Sequence, residues 1–101
     1  MTDNQTISLI FLSIALGSQT GPVDFSSISN IADGINHAIP THTELQTSLA
    51  WLTNNGLVIK IGSKYSLTEK GKLDYEESSK NIPAVLRLWE SVETVLKKYG
   101  P

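Results

Sequence analysis

The sequence predicts a single, mainly α-helical domain that carries one small β-hairpin. Several segments repeat apolar residues every three or four positions, a spacing typical of helices. Two short β-prone runs flank Gly62 and Ser63, which suits a two-residue hairpin turn with glycine first. At 101 residues, of which 40% are apolar and 18% charged, the chain has the length and composition of one folded domain with one core.

The first predicted helix covers Ile7 to Leu16 and is apolar on nearly all of its faces. Such a helix is normally buried on more than one side, so we expect its own core and a partner subunit to cover it. The segment has about half of the ~20 apolar residues that a membrane-spanning helix needs. No Lys or Arg precedes it, although a signal peptide begins with basic residues. We therefore expect neither a membrane span nor a secretion signal.

A second helix is predicted from Ser26 to about His37, after a short extended segment at residues 22–25. Its apolar residues recur on one face, and either Asp24 or Ser26 is expected to cap its first amides. Pro40 ends this region, because proline lacks a backbone donor and disfavours helical geometry in the residue before it.

The third helix is predicted from Thr41 to Asn55. Thr41 and Glu44 have the spacing of a capping box, in which each side chain binds the backbone amide of the other residue. Gly56 follows as the left-handed residue that ends the helix. Trp51 is expected at the edge of the core, beneath the hairpin.

The predicted hairpin pairs Leu57–Ile61 with Lys64–Leu67. Thr68 is expected to cap a helix from Glu69 to about Ser79, and a last helix runs from Pro83 to about Tyr99. The single domain, residues 1–101, thus has a core of about residues 7–79 and a C-terminal helix of about residues 83–99. The two apolar rows of that helix suit packing on a symmetry mate. The residues expected at a homodimer interface are Trp89, Val85, Val92 and Leu96.

This order of elements, with the run LAWLTNNGLV at residues 49–58 and YSLTEKG at residues 65–71, resembles the winged helix-turn-helix of MarR-type and PadR-type transcriptional regulators. The resemblance spans about residues 25–71. It implies a homodimer that binds double-stranded DNA, with the third helix as recognition helix and the hairpin as wing. The implied DNA-binding residues are His42, Thr43, Gln46 and Thr47 in the recognition helix, and Lys60, Lys64, Lys70 and Lys72 around the wing.

The distribution of charge leaves a second interpretation open. Residues 1–59 contain four acidic residues and no Lys or Arg, whereas residues 60–101 contain eight basic and six acidic residues. Phosphate neutralisation by basic residues supplies most nonspecific affinity for DNA. The alternative is therefore a winged helix that binds another protein through its uncharged third helix. In that case the four lysines serve only to keep a β-edge soluble.

Other classes of function have no support in the sequence. The chain has no Cys, which excludes disulfides and thiolate chemistry and is compatible with the cytoplasm, where we expect it. No nucleophile-elbow, zinc-peptidase or phosphate-loop spacing occurs, so no enzyme activity and no cofactor are expected. His37 and His42 have only Asp33 and Glu44 as further candidate ligands, so no metal site is expected.

Overall fold

A computed structural model describes residues 1–100 and contains five α-helices and one antiparallel hairpin. A short 3-10 turn, Lys97–Tyr99, follows the last helix. Within residues 1–100, none of the helices is both long enough and apolar enough to cross a membrane. The elements are α1 (Asp3–Gly17), α2 (Phe25–Asn36), α3 (His42–Asn54), β1 (Val58–Ile61), β2 (Lys64–Leu67), α4 (Glu69–Ser79) and α5 (Val85–Leu96).

Helix α1 lies in the centre of the molecule. All ten residues from Thr6 to Ala15 are buried, and α1 packs against all four other helices and β2. Its two central buried hydroxyls, on Ser8 and Ser13, donate to carbonyl oxygens one turn earlier at 2.6 and 2.7 Å. The expectation that a partner subunit covers part of α1 is therefore wrong, because the helices of the same chain surround it.

The helix starts follow local capping chemistry. Thr2 and Gln5 form a capping box at the start of α1, with bonds of 2.8 and 3.1 Å, so the helix begins earlier than its apolar rows indicate. Of the two candidate caps for α2, Asp24 is the one that accepts from the Ser27 amide, at 2.9 Å. The predicted capping box of α3 is present.

The hairpin has the predicted turn, with Val58 opposite Leu67 and Ile61 opposite Lys64. The other edge of β2 binds a residue that precedes α2. Val23 and Tyr65 exchange two backbone hydrogen bonds of 2.8 and 2.7 Å. The extended segment before α2 is thereby joined to the hairpin. The hairpin itself packs beside α3 and α4, the two helices that it connects.

Two glycines determine how α3 leads into the hairpin and α4. Gly56 has φ +73°, which confirms the predicted left-handed position after α3. Gly71 lies in the first turn of α4, where an added Cβ would meet the carbonyl oxygen of Leu57 at 2.1 Å. Gly71 therefore permits close packing of α4 on the start of the hairpin, which is why a weak helix former occupies this turn.

Candidate nucleic-acid interface

Helix α3 presents an uncharged polar face to solvent. His42, Thr43, Gln46 and Thr47 are all exposed, as their implied role requires. The opposite face is buried because Leu45, Ser48, Leu49 and Leu52 pack into the core. The capping box holds the first turn, since Thr41 donates its amide to Glu44 at 2.8 Å and accepts from the Glu44 amide at 3.0 Å.

Aromatic contacts connect this face to the hairpin. The Phe25 ring at the start of α2 meets the His42 ring edge-on at 5.9 Å and stacks on Tyr65 of β2 at 5.8 Å. Lys60 lines the same surface cleft as Phe25 and Tyr65. His42 and Lys60 therefore belong to one continuous surface. We call the exposed residues His42, Thr43, Gln46, Thr47, Lys60 and Lys64 the α3–hairpin surface.

The two hairpin lysines of this surface are exposed, and so are two isoleucines of β1. Ile59 and Ile61 are 49% and 51% exposed, and they alternate with Lys60 along the strand. Because successive side chains of a strand point to opposite faces, the two isoleucines share the outer face of the hairpin. Lys64 lies opposite Ile61 and therefore shares this outer face, whereas Lys60 lies opposite Tyr65 on the other face of the hairpin.

Lys70 is engaged within the chain. Its ammonium group donates to the carbonyl oxygen of Asn55 at 2.9 Å and lies 4.5 Å from the centre of the Tyr99 ring. Asn55 follows the last turn of α3, where backbone carbonyls lack helical partners and attract cations. Lys70, one of the residues implied to bind DNA, therefore has a structural role at the end of α3.

Lys72 forms an ion pair with Glu69, at 3.6 Å, in which both side chains are largely exposed. Such a pair contributes little to stability and is readily exchanged for a phosphate. The Glu69 carboxylate nevertheless lowers the positive charge around Lys72. Lys60 and Lys64 are therefore the main cations of this region.

Asp24 brings a negative charge close to these lysines. Hydrogen bonds from the backbone amide and hydroxyl of Ser27 hold the pKa of Asp24 below its ordinary value, and the nearby Lys64 lowers it further. The carboxylate is thus ionised at neutral pH and offsets part of the charge of Lys64. The α3–hairpin surface is only weakly positive as a result.

A buried acid on α4 forms a cluster that no local sequence pattern indicates. Asp74 binds the Lys98 ammonium at 2.7 Å and accepts a hydrogen bond from the Tyr99 hydroxyl. Burial raises the pKa of Tyr99, and the hydrogen bond to Asp74 raises it further. The same carboxylate raises the pKa of Lys98. We call Asp74, Lys98 and Tyr99 the Asp74 cluster; it attaches the end of the chain to α4.

The two tryptophans stabilise the fold at separate places. Trp51 lies at the edge of the core, as predicted, and makes an edge-to-face contact of 6.2 Å with Tyr99. The pockets that it lines are formed with residues of α1 and α5, not with the hairpin. Trp89 donates its indole N–H to the carbonyl oxygen of Gln5 at 2.9 Å and so joins α5 to the first turns of α1.

Of the residues expected at a dimer interface, Val92 and Leu96 are 0% and 4% exposed. Their assignment to a dimer interface is corrected: they face α1 and complete its coverage.

Of the four residues expected at a dimer interface, only Val85 keeps a largely exposed side chain, 41%, and its neighbour Leu86 is 56% exposed.

Among residues 1–100, no three His, Cys, Asp or Glu residues are grouped as ligands of a metal ion. Comparisons with protein-family models, curated proteins and solved structures find no match for this chain. Only the geometry of the α3–hairpin surface therefore bears on the function of this chain.

Proposed function

We propose that this chain is a winged helix-turn-helix domain that contacts double-stranded DNA and acts as a small transcriptional regulator. The order of elements supports this proposal, because two consecutive helices, α2 and α3, are followed directly by a hairpin, as in a winged helix-turn-helix. The bonds between Val23 and Tyr65 add support, since they place a third extended segment beside the wing.

The observation that carries the proposal is the exposed face of α3 beside two hairpin lysines. Gln46, Thr43 and Thr47 supply donors and acceptors for base edges in a major groove, and Gln46 has the side chain that bonds adenine through two atoms. Lys60 and Lys64 provide the contacts to phosphates that hold the helix in register. Base contacts thus come from α3 and phosphate contacts from the wing.

Because only Lys60 and Lys64 are left to contact phosphates, we expect DNA binding that is weak and moderately dependent on salt. Two phosphates neutralised per chain give a log-log salt slope of about -2, and a dimer gives about -4. These slopes are less steep than those expected if all four lysines of each chain contacted phosphates, because Lys70 is bonded to Asn55 and Lys72 to Glu69.

Fluorescence anisotropy with mixed genomic duplexes at about 50 mM salt tests the proposal, since electrostatic attraction is strongest at low salt. Replacing Lys60 and Lys64 by Ala should weaken binding to all duplexes alike, whereas Lys80→Ala at the end of α4 should not. Gln46→Ala should instead relax sequence preference at one position. Absence of binding at this salt concentration refutes the DNA proposal.

The second candidate is a winged helix that binds another protein. The exposed apolar pair Ile59 and Ile61 favours it, together with the lack of any cation on α3. The substitutions Ile59→Ser and Ile61→Ser distinguish the two functions. They should leave an affinity for DNA that depends on Lys60 and Lys64 unchanged, but abolish binding of a protein partner.

We also propose that the chain forms a homodimer through the first turn of α5, where Val85 and Leu86 are exposed. Sedimentation equilibrium at tens of micromolar tests this proposal. Leu86→Ser should shift the protein towards monomer, and a wild-type protein that is already monomeric refutes the dimer.

A further inference from the structure

A groove separates the first turns of α1 and α3, on the flank of the α3–hairpin surface. It encloses about 520 Å³, which lies within the range of small-molecule sites, about 300–1,000 Å³. We call it the N-terminal groove. The lining residues that matter here are Asp3, Ile7, Glu44, Thr47, Ser48 and Trp51.

Ser48 is a buried polar residue of the groove that lacks an intramolecular partner. It is 1% exposed, yet among residues 1–100 its hydroxyl has no hydrogen bond of the kind that Ser8, Ser13 and Ser78 make to a carbonyl one turn earlier. No fully enclosed side-chain nitrogen or oxygen of these residues lacks a partner. The remaining exposure of Ser48 therefore belongs to its hydroxyl, which opens on the groove that Ser48 lines.

The groove also has an ordered apolar part. Ile7 is 8% exposed, and Trp51 is partly buried and held by its edge-to-face contact with Tyr99. An aliphatic side chain beside an indole ring suits a flat hydrocarbon group. Apolar surface of this kind supplies affinity, and the hydroxyl of Ser48 supplies a fixed point of polar recognition.

The charge of the groove selects its ligand. Asp3 and Glu44 line it, and no Lys or Arg does. The side chains of the lining therefore carry a net negative charge. Glu44 and Ser48 are one helical turn apart on α3, so their side chains lie on the same helix face. Glu44 accepts the Thr41 amide through Oε1, which leaves its second carboxylate oxygen for an ammonium group.

We propose that the N-terminal groove binds a small organic cation, with an apolar ring against Ile7 and Trp51 and a protonated amine that faces Glu44 and Asp3 and donates to the Ser48 hydroxyl. Thr43 and Thr47 line the groove and also belong to the α3–hairpin surface. An occupied groove therefore changes the surface proposed to contact DNA. That consequence rests on the proposed function, whereas binding of the cation does not.

Amide and indole NMR spectra test the proposal on the intact chain, using three probes of similar shape: phenethylamine, phenethyl alcohol and hydrocinnamate. The chain has two tryptophans, so two indole N–H signals report on Trp51 and Trp89 separately, and Trp51→Phe assigns them. Phenethylamine should shift the Trp51 signal to saturation and leave Trp89 in place. It should bind about two- to tenfold more tightly than the alcohol, with hydrocinnamate weakest.

Three substitutions separate the contributions of charge and of the Ser48 hydroxyl to the affinity for the probes. Glu44→Gln keeps the capping box, because glutamine also serves at that position, and should weaken phenethylamine about two- to fivefold without affecting the alcohol. Asp3→Asn should act in the same direction. Ser48→Ala should weaken the amine and the alcohol alike, since both donate to the hydroxyl.

The matched control is Glu90→Gln, which removes the same charge from an exposed position on α5, outside the groove. Glu90→Gln should leave the affinity for all three probes unchanged. Equal binding of the three probes, simultaneous shifts of both indole signals, or no shift of Trp51 at any probe concentration overturns the proposal. The DNA measurements are independent of this titration, so failure of one proposal is distinguishable from failure of the other.

Discussion

The Lys70 ammonium bridges the carbonyl oxygen of Asn55 and the ring of Tyr99, at 2.9 and 4.5 Å. It thereby joins the end of α3 to the C-terminal turn through a residue of α4. Tyr99 is held in the same place by Asp74, and its ring meets Trp51. Three elements that are distant in sequence are fixed together at the end of α3 opposite to its exposed first turn.

Lys70→Ala should lower the free energy of unfolding by about 1–2 kcal/mol, because it removes a charged hydrogen bond and a cation–π contact. Lys72→Ala removes only an exposed ion pair and should cost less than about 0.5 kcal/mol. Urea denaturation at neutral pH measures both. Equal stability of the two variants would show that the bond to Asn55 contributes nothing.

The Asp74 cluster predicts a loss of stability at alkaline pH. The pKa values of Lys98 and Tyr99 are both raised in the folded protein, so the folded state holds these protons more tightly than the unfolded state. Their contribution is complete below about pH 10, where the unfolded side chains titrate, and is lost as the pH rises through the folded values. Asp74→Asn should reduce this loss, because the carboxylate that raises both values is gone.

Urea midpoints measured from about pH 8 to pH 11 check this prediction. Tyr99→Phe is the second variant, since it removes one titrating group and leaves the pair of Asp74 with Lys98 in place. A decline with pH that is the same in the wild type and in both variants would assign alkaline unfolding to other groups.

Gly56→Ala should destabilise the protein by about 1 kcal/mol or more, because φ is +73° at this position and a Cβ is strained there. Gly34→Ala is the matched control. Gly34 lies within α2 with nothing within 4 Å of an added Cβ, and alanine is the better helix former by about 1 kcal/mol. Thermal unfolding should therefore move in opposite directions for the two variants.

Trp89→Phe should destabilise the single chain by about 1 kcal/mol, since phenylalanine keeps much of the packing but cannot donate to the Gln5 carbonyl. The loss should be the same at low and high protein concentration. A loss that grows with protein concentration would mean that Trp89 stabilises an oligomer, as the sequence alone indicated.

Local sequence signals predicted most of the fold. Thr41 with Glu44, Thr68 and Gly56 act on their own neighbours along the chain, so the boundaries of α3, the hairpin and α4 were predictable from spacing. The Asp74 cluster and the bond from Trp89 to Gln5 join residues 24 to 84 positions apart, and no local pattern encodes them.

Local sequence patterns also could not predict which lysines are engaged within the chain or which surface covers a buried helix face. Four lysines near the hairpin were equivalent in the sequence, and only the position of the Asn55 carbonyl separates Lys70 from Lys60 and Lys64. The apolar rows of α1, and those of α5 after its first turn, predicted burial, but they do not specify whether the covering surface belongs to the same chain. Val92 and Leu96 are covered within it.

The central position of α1 has a consequence for synthesis. Its buried residues, Thr6 to Ala15, leave the ribosome before the helices that cover them, and α5 is the last of those helices to emerge. The most apolar segment of these elements therefore stays uncovered on one side until α5 has emerged. Transient apolar exposure of this kind favours aggregation and recruits chaperones. A nascent chain stalled before residue 85 should thus bind a chaperone, and release should follow once α5 has left the exit tunnel.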